Sequence, residues 1–584
     1  MAIILILIFF LGTINYYFQK KKSLSLALTY TTLIIASATI LITETSSHFK
    51  VFNYTSSILF WTITMIGIVF INAKEKYILL EKYSNWIKEN KKVSLFFGGF
   101  TLLLFIQGIL YPPNNWDSMT YHMARIAHWV MNESIEPYPT HIYRQIYQPP
   151  LAEWIIAQVC ILNRADYLAN AIQLFFLLAT LGVVNQIMLV FNQSKKRRII
   201  ALILAFTTPS VFMQTTSTQN DIIVSFFLLS GILFLITYLK KQNISNALFA
   251  GLSIGSALLT KGTAFVYLLP IIIFYASYLL ISIYKKQVNT VKLSLHILLI
   301  IGVTTMLAFN HYQRNYRLSG DIFGASDDHY FNKNISIKST GLGLLKNIGN
   351  HFSLPVCATI TNKIVEKTHL LSNIPIKDEN YSYKGIHFKL NEWNHNEDEV
   401  SNFMQMILVF GLIVFLLFNL KTSNILLILS TSFCLLGFFL FAFLLKWQPW
   451  HIRLQVPLFI MFAIPIAIFL DSSLSNKTVL FILSLSIAYC LILSLYNPNR
   501  PLIKNYKQAK LTTRFEKYFV AMPPFLNEYK TWRYKLKNKT KQNWEVHGDT
   551  WEYPIYYDCF SEDRKAFNAI NIKNQSKELI NPFK

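Results

Sequence analysis

Residues 111–154 read YPPNNWDSMTYHMARIAHWVMNESIEPYPTHIYRQIYQPPLAEW. Asp117 follows two prolines, two asparagines and Trp116, and from there Met119, Met123, Ile126, Ala127 and Val130 recur at helical spacing. Tyr121, Arg125 and His128 fall on another face, and His122 lies beside Tyr121. This is the pattern of an amphipathic surface helix with a carboxylate in its first turn. An Asp there can cap the helix. It can equally accept the proton of a reacting hydroxyl. Spacing alone leaves both roles open. Residues 216–221 (TSTQND) set a second acid, Asp221, at the start of an apolar run, with the same two readings. Two acids at one water–membrane boundary, with cations near, are costly to keep as caps alone.

The cations are Lys261 in LTKGTAF, Arg144 in the stretch above, Arg314 and Arg317 in NHYQRNYR, and Arg453 with His451 in KWQPWHIRLQVP. Any one of them could simply snorkel. Several converging from different helices would suit a phosphate. At 395–400 the sequence HNEDEV offers Glu397, Asp398 and Glu399 with His395. Their hard oxygens could hold a divalent cation, and a solvated acidic turn has the same composition.

The elements that must position these groups follow from composition. Of 584 residues 53% are apolar and only 14% charged, where roughly 25% charged is typical of soluble domains. That excludes a disordered chain and disfavours a soluble enzyme. The net charge of +24 would suggest nucleic acid in a soluble protein, but many of the basic residues lie in short loops between apolar runs, so no nucleic-acid partner is expected. We read about fourteen spans, at 2–18, 24–43, 56–73, 94–111, 166–191, 199–216, 221–239, 245–260, 263–284, 293–310, 403–420, 424–445, 454–470 and 478–495. Alternate loops carry 20 basic residues in one set, including Lys20, Lys74, Lys76, Lys82, Lys196, Lys286 and Lys477, against 3 in the short loops of the other set (Lys50, Lys261 and Lys446). The rich set is expected in the cytoplasm and the N-terminus outside. Three long polar segments, 112–165, 311–402 and 496–584, then lie outside, provided that 151–163 is an interfacial helix too short to cross. The run 3–11 has neither a basic flank before it nor a small-residue site after it, so it reads as a retained helix. The expected fold is thus an all-α polytopic bundle with interfacial helices and a small external C-terminal α+β region, in which 553–557 is β-prone. The five cysteines include no CxxC; Cys357 and Cys559 lie in polar segments and could pair, though their spacing specifies nothing.

Five motifs in register resemble the GT-C superfamily of polyprenyl-phosphate-sugar glycosyltransferases. The likeness is to the bacterial protein O-mannosyltransferase and lipid A aminoarabinose transferase families. These are Asp117 with the helix 118–131; Gln148, Pro149, Pro150 and Leu151 with Trp154; Asp221 in TQNDIIVSF; the Leu-Thr-Lys-Gly of 259–262; and Arg453 followed by Pro457. The resemblance covers most of 94–495. It leaves 1–93 as additional N-terminal helices and 496–584 uncovered. It implies a GT-C-type fold in a bacterial inner membrane and a site on the external face. The expected partners are a polyprenyl-phosphate-linked sugar, the bilayer, and an acceptor glycan, lipid or protein. No cofactor is required, with a divalent cation at Glu397 and Asp398 the one candidate. Asp117 and Asp221 are the expected catalytic acids, and Lys261, Arg453, Arg144 and Arg314 the expected phosphate ligands. Tyr121, His122, Arg125, Gln148 and His451 are expected to line the substrates. The families often have a basic residue where this chain has Gln148, so either Arg144 replaces it or Lys261 and the later arginines suffice. Two rival readings are a lipid-sugar flippase and an O-antigen ligase or polymerase. A flippase would carry its charges in mid-span, whereas here they sit at span ends.

Overall fold

Long apolar runs closed by polar caps fold as the sequence requires. In the computed structural model Ser23, Asn53, Ser194, Asn243, Asn289, Asn424 and Ser475 each accept a backbone N–H at a helix start, which satisfies donors that have no partner in the first turn. The structure describes residues 2–73, 87–285, 289–324, 330–536, 541–544, 549–556, 558–560 and 566–579. Lys74, Lys76, Lys82, Lys286 and Tyr557 lie outside the described residues.

The protein is an α-helical membrane bundle. Among the described residues 11 helices are long and apolar enough to cross a membrane. Three of the runs expected to span differ. Ile4–Lys21 forms a helix of 18 residues that is not apolar enough, ending in Lys20 and Lys21. The run 199–216 is broken into Lys195–Phe206 and Pro209–Gln214, because Pro209 lacks the N–H that would continue the first helix. Ile244–Thr260 has 17 residues, about 26 Å at 1.5 Å each, slightly under a hydrocarbon core. Leu151–Asn163 is a 13-residue helix, as the short apolar run predicts.

Ile244–Thr260 packs against Asp221–Lys240 on one side and Thr290–Ser319 on the other. Gly251 and Gly255 make the second contact possible. A Cβ on Gly251 would meet Ile300 O and Val303 Cβ at 3.0 Å, and one on Gly255 would meet Thr304 Cα at 3.1 Å. This small-xxx-small face brings two backbones together and fixes the height of Lys261, which ends the helix. Ile4–Lys21, Leu24–His48 and Tyr54–Asn72 pack together, and Leu24–His48 leans on Leu151–Asn163 and Ile172–Val190.

The helix expected over 118–131 begins as a π-turn, Ser118–His122, and continues as Met123–Asn132. Its apolar residues are buried as expected, but so are His122, Arg125 and His128 on the polar face. The tail covers that face. Glu552 bonds His128 Nε2 at 2.8 Å and Gln145 Nε2 at 2.5 Å, while Trp551 meets Trp116 edge-on at 6.1 Å. The described tail is mostly short helices and turns, with one two-stranded parallel pair, Lys541–Trp544 with Ala566–Ala569. Cys357 and Cys559 do not pair with each other.

Candidate active site

Asp117 does not cap its helix. The Ser118 N–H bonds Asn115 Oδ1 at 2.7 Å instead, and Asp117 makes no capping bond. Its carboxylate turns to Arg453, with NH2 to Oδ2 at 2.5 Å, accepts Gln219 Nε2 at 3.3 Å, and has Arg144 NH1 3.9 Å from Oδ1. Asp221 likewise leaves capping to another residue, since Gln173 Oε1 accepts the Ile222 N–H at 2.9 Å. Asp221 Oδ1 accepts Lys261 Nζ at 2.6 Å, and Asn220 Oδ1 accepts the same ammonium at 2.8 Å. Both acids thus face cations, from helix ends that meet at one level of the bundle.

Arg453 links the two halves. Its NH1 donates to Asp398 Oδ1 at 3.1 Å. Asp398, Asp117 and Asp221 all act electrostatically on it, as Asp221, Arg453 and Asp117 do on Lys261. Burial alone would raise the proton affinity of Asp117, but Arg453, Arg144 and His122 outweigh it and hold the carboxyl well below the usual range. Asp398 goes the other way. Burial, with Asp117, Asp221 and Glu399 as like charges, outweighs Arg453 and pushes it up to about 6. Burial draws the Lys261 ammonium down, against the pull of Asp221.

The site contains two residues that local pattern did not flag. Gln219 bridges Asp117 and His122: its Nε2 faces the carboxylate, so its Oε1 accepts from His122 Nε2 at 3.1 Å. The opposite amide orientation would set an oxygen against Asp117. Behind His122 lies Glu153, fully buried and bonded to both His122 Nδ1 and Arg125. Burial raises its proton affinity, but Arg125 and His122 outweigh that and pull Glu153 down to about 2. Arg125 also donates to the carbonyls of Gln148 and Pro149, at 2.7 and 3.1 Å, and so fixes the Pro-Pro turn. Gln219 stands two residues before Asp221 and Glu153 three after Pro150, so proximity to the motifs was the available signal.

The other expected residues divide. Tyr121 lies in the cluster, its ring 4.8 Å under the Arg144 guanidinium and 4.0 Å from the His122 ring. His451 is buried and donates Nδ1–H to Asn347 Oδ1 at 2.9 Å; burial lowers it to about 3, so it is neutral, and its Nε2 has no partner among the described residues. Arg314 is not brought to Asp117. It pairs with Glu44 of Leu24–His48 at 2.8 Å and lies 3.6 Å from Glu136, in a pocket lined also by Trp129, Tyr138 and His311. Glu397 and Asp398 do not converge as a metal pair. Glu397 faces Arg500 and Asn115, and Asp398 faces Arg453, so each carboxylate already has a cation. Among the described residues no group of three His, Cys, Asp or Glu side chains is placed to hold a metal ion.

Two crystal structures of ArnT from Cupriavidus metallidurans are similar to this chain at 11% identity. The one bound to undecaprenyl phosphate gives a TM-score of 0.47 over 80% of this chain and 75% of that one; the apo structure gives 0.45 over 81% and 75%. No curated protein sequence matches. Residues 147–309 match the family described as dolichyl-phosphate-mannose-protein mannosyltransferase. That match runs from the Pro-Pro turn through Asp221 and Lys261.

Proposed function

We propose that this protein moves a sugar from a polyprenyl-phosphate donor to an acceptor hydroxyl, with inversion, at the external face of a bacterial inner membrane. One observation carries the reading: Arg144, Lys261 and Arg453, from three separate elements, converge on Asp117 and Asp221 at the ends of apolar helices. Three cations around one point suit a phosphate leaving group, whose negative charge must be held as the glycosidic bond breaks. Among the described residues Arg144 Nε and Arg453 Nε make no hydrogen bond and are donors to spare.

The pairing of Asp117 with Arg453 also sets the order of events. While Arg453 and Arg144 hold it, Asp117 is a weak base. A donor phosphate draws the two guanidinium groups toward itself, and the proton affinity of Asp117 rises when the acceptor needs it. The acceptor oxygen then attacks the anomeric carbon opposite the phosphate, its proton passes to Asp117, and the carbon–phosphate oxygen bond breaks. A single displacement needs no covalent enzyme intermediate and inverts the centre. Asp221 positions Lys261 on the phosphate, and Gln219 with His122 and Glu153 orients the base.

Two tests bear on this reading. Asp398 is about half protonated near pH 6. Below that it becomes neutral and no longer competes with phosphate for Arg453. The donor, a phosphodiester, keeps its charge throughout. The donor KM is therefore expected to fall about two- to fivefold between pH 7.5 and pH 5, an effect of roughly 1 kcal/mol or less. Asp398→Asn should show the low KM at both pH values; a wild-type pH dependence in that variant would remove Asp398 from the account. Orientation is tested with Lys195→Cys, an exposed position, in a Cys357→Ser background, because Cys357 is the one cysteine that is not buried. The new thiol should resist a membrane-impermeant reagent in intact cells and react after lysis. Rapid labelling of intact cells would put the site on the cytoplasmic face.

A further inference from the structure

The tail enters the site. Segment 549–556 lies on the π-turn and the helix behind it, and it is anchored there by buried contacts. Glu552 binds His128, Gln145 and Tyr556. Tyr553 OH donates to Asp166 Oδ2 at 3.1 Å, the same carboxylate that holds Tyr518 and Arg514. Trp551 is fully buried, and its carbonyl accepts Tyr529 OH at 2.5 Å. At the start of this segment, two residues before Trp551, Asp549 reaches back over the site, and its Oδ2 lies 2.9 Å from Arg144 NH2.

Arg144 is thus divided between two acids. It faces Asp117 at 3.9 Å with one amine and Asp549 at 2.9 Å with the other, and the second amine also donates to Thr120 Oγ1 at 2.8 Å. With Asp549 included, four carboxylates (Asp117, Asp221, Asp398 and Asp549) meet three cations (Arg144, Lys261 and Arg453). A phosphate would add another negative charge and would have to compete with these carboxylates for the cations. One carboxylate must give way. The Asp549 side chain is 46% exposed, against 11%, 1% and 22% for Asp117, Asp221 and Asp398, and it stands at the edge of the anchored segment rather than inside it. It is the group that can leave for water at least cost.

We propose that Asp549 is a latch on the phosphate site: its carboxylate holds Arg144 in the place of a donor phosphate oxygen, and a lipid phosphate displaces it. This rests on the reading of Arg144 as a phosphate ligand. Asp549 is then a positioning residue that acts through Arg144, and the tail is a wall of the site. The latch exists only in the donor-free protein, so its removal strengthens donor binding without adding any contact to the transition state that the bound donor lacks. The gain belongs in KM.

The test uses the full-length protein in nanodiscs, with a synthetic polyprenyl-phosphate sugar as donor and polyprenyl phosphate as the binding probe. Asp549→Asn should lower the donor KM about fivefold and tighten polyprenyl phosphate binding by the same factor. Asp549→Ala should do likewise, because the effect comes from lost charge and not from a new contact. Inorganic phosphate is the control: equal tightening toward it would show a general anion effect on Arg144 and overturn the lipid assignment. A donor KM equal to or above the wild-type value in both variants overturns the latch. A merely structural role for Asp549 would lower kcat and thermal stability with no gain in affinity. Arg144→Ala separates this proposal from the one on which it rests. If that variant binds donor normally, the phosphate reading of Arg144 has failed. If it binds donor weakly while Asp549→Asn is unchanged, only the latch has failed.

Discussion

Asp117→Asn is expected to abolish most sugar transfer, by about 10²–10⁴-fold, while the protein still inserts and binds donor. The substitution is nearly isosteric. The amide oxygen can still accept a hydrogen bond from Arg453, at present 2.5 Å away, but the group can no longer take a proton as a carboxylate does. A cap would behave differently, since Asn caps a helix about as well as Asp. In the structure Asn115, not Asp117, accepts the Ser118 N–H, so no capping loss confuses the measurement. The assay is release of polyprenyl phosphate and labelled product from a synthetic donor by purified protein. Wild-type rates from Asp117→Asn would move the base to Asp221, whose Oδ2 has no partner among the described residues.

Arg500→Met should be among the most damaging changes to stability, although Arg500 lies outside the five motifs and outside the matched residues 147–309. Arg500 and Glu397 are both fully buried, with side-chain exposures of 0%, and face each other directly. Arg500 also binds Asn114 Oδ1 at 2.8 Å and Thr216 Oγ1 at 3.1 Å, and Asn115 donates to Glu397 at 2.6 Å. One ion pair thus ties the start of the tail to the loops before Asp117 and Asp221. Removing the cation strands a buried carboxylate at a cost of about 3–5 kcal/mol. A lower midpoint in denaturant or thermal unfolding of the detergent-solubilised protein would show it. Replacing both partners, as Glu397→Leu with Arg500→Met, should recover most of the loss, because a buried pair exchanged for apolar groups is often neutral. A single variant as stable as wild type would mean that water reaches Glu397.

The sequence made the apolar helices legible and also the acids that begin two of the critical turns, because hydropathy and local spacing are written along the chain. It left Asp117 and Asp221 ambiguous for a physical reason: an acid before an apolar helix looks the same whether it caps or reacts. In the structure the capping bonds go to Asn115 and Gln173, which removes the first of those two readings. The partners of these acids were harder to read. Arg453 is 336 residues from Asp117, and Glu552 is 424 residues from His128. No periodicity connects such positions. HNEDEV looked like a metal loop or a solvated turn, because its two cations, Arg453 and Arg500, arrive from distant segments. Arg314 was grouped with the phosphate ligands by its type and its place at a span end, yet Glu44, from the N-terminal helices, holds it elsewhere.

The π-turn at Ser118–His122 has a consequence for which changes the site can survive. A π-turn holds one residue more than the α-helical turn it replaces, and here the Met123 N–H reaches back to Ser118 O. Loss of one residue from this turn would let it relax into an ordinary α-helix. Met123–Asn132 could keep its packing and its seat under the tail, while Asp117 would rotate by about 100° around the helix axis, away from Arg453. The placement of the Asp117 carboxylate therefore depends on chain length as well as on residue type. A single-codon deletion in the turn is expected to give a well-folded, inactive protein.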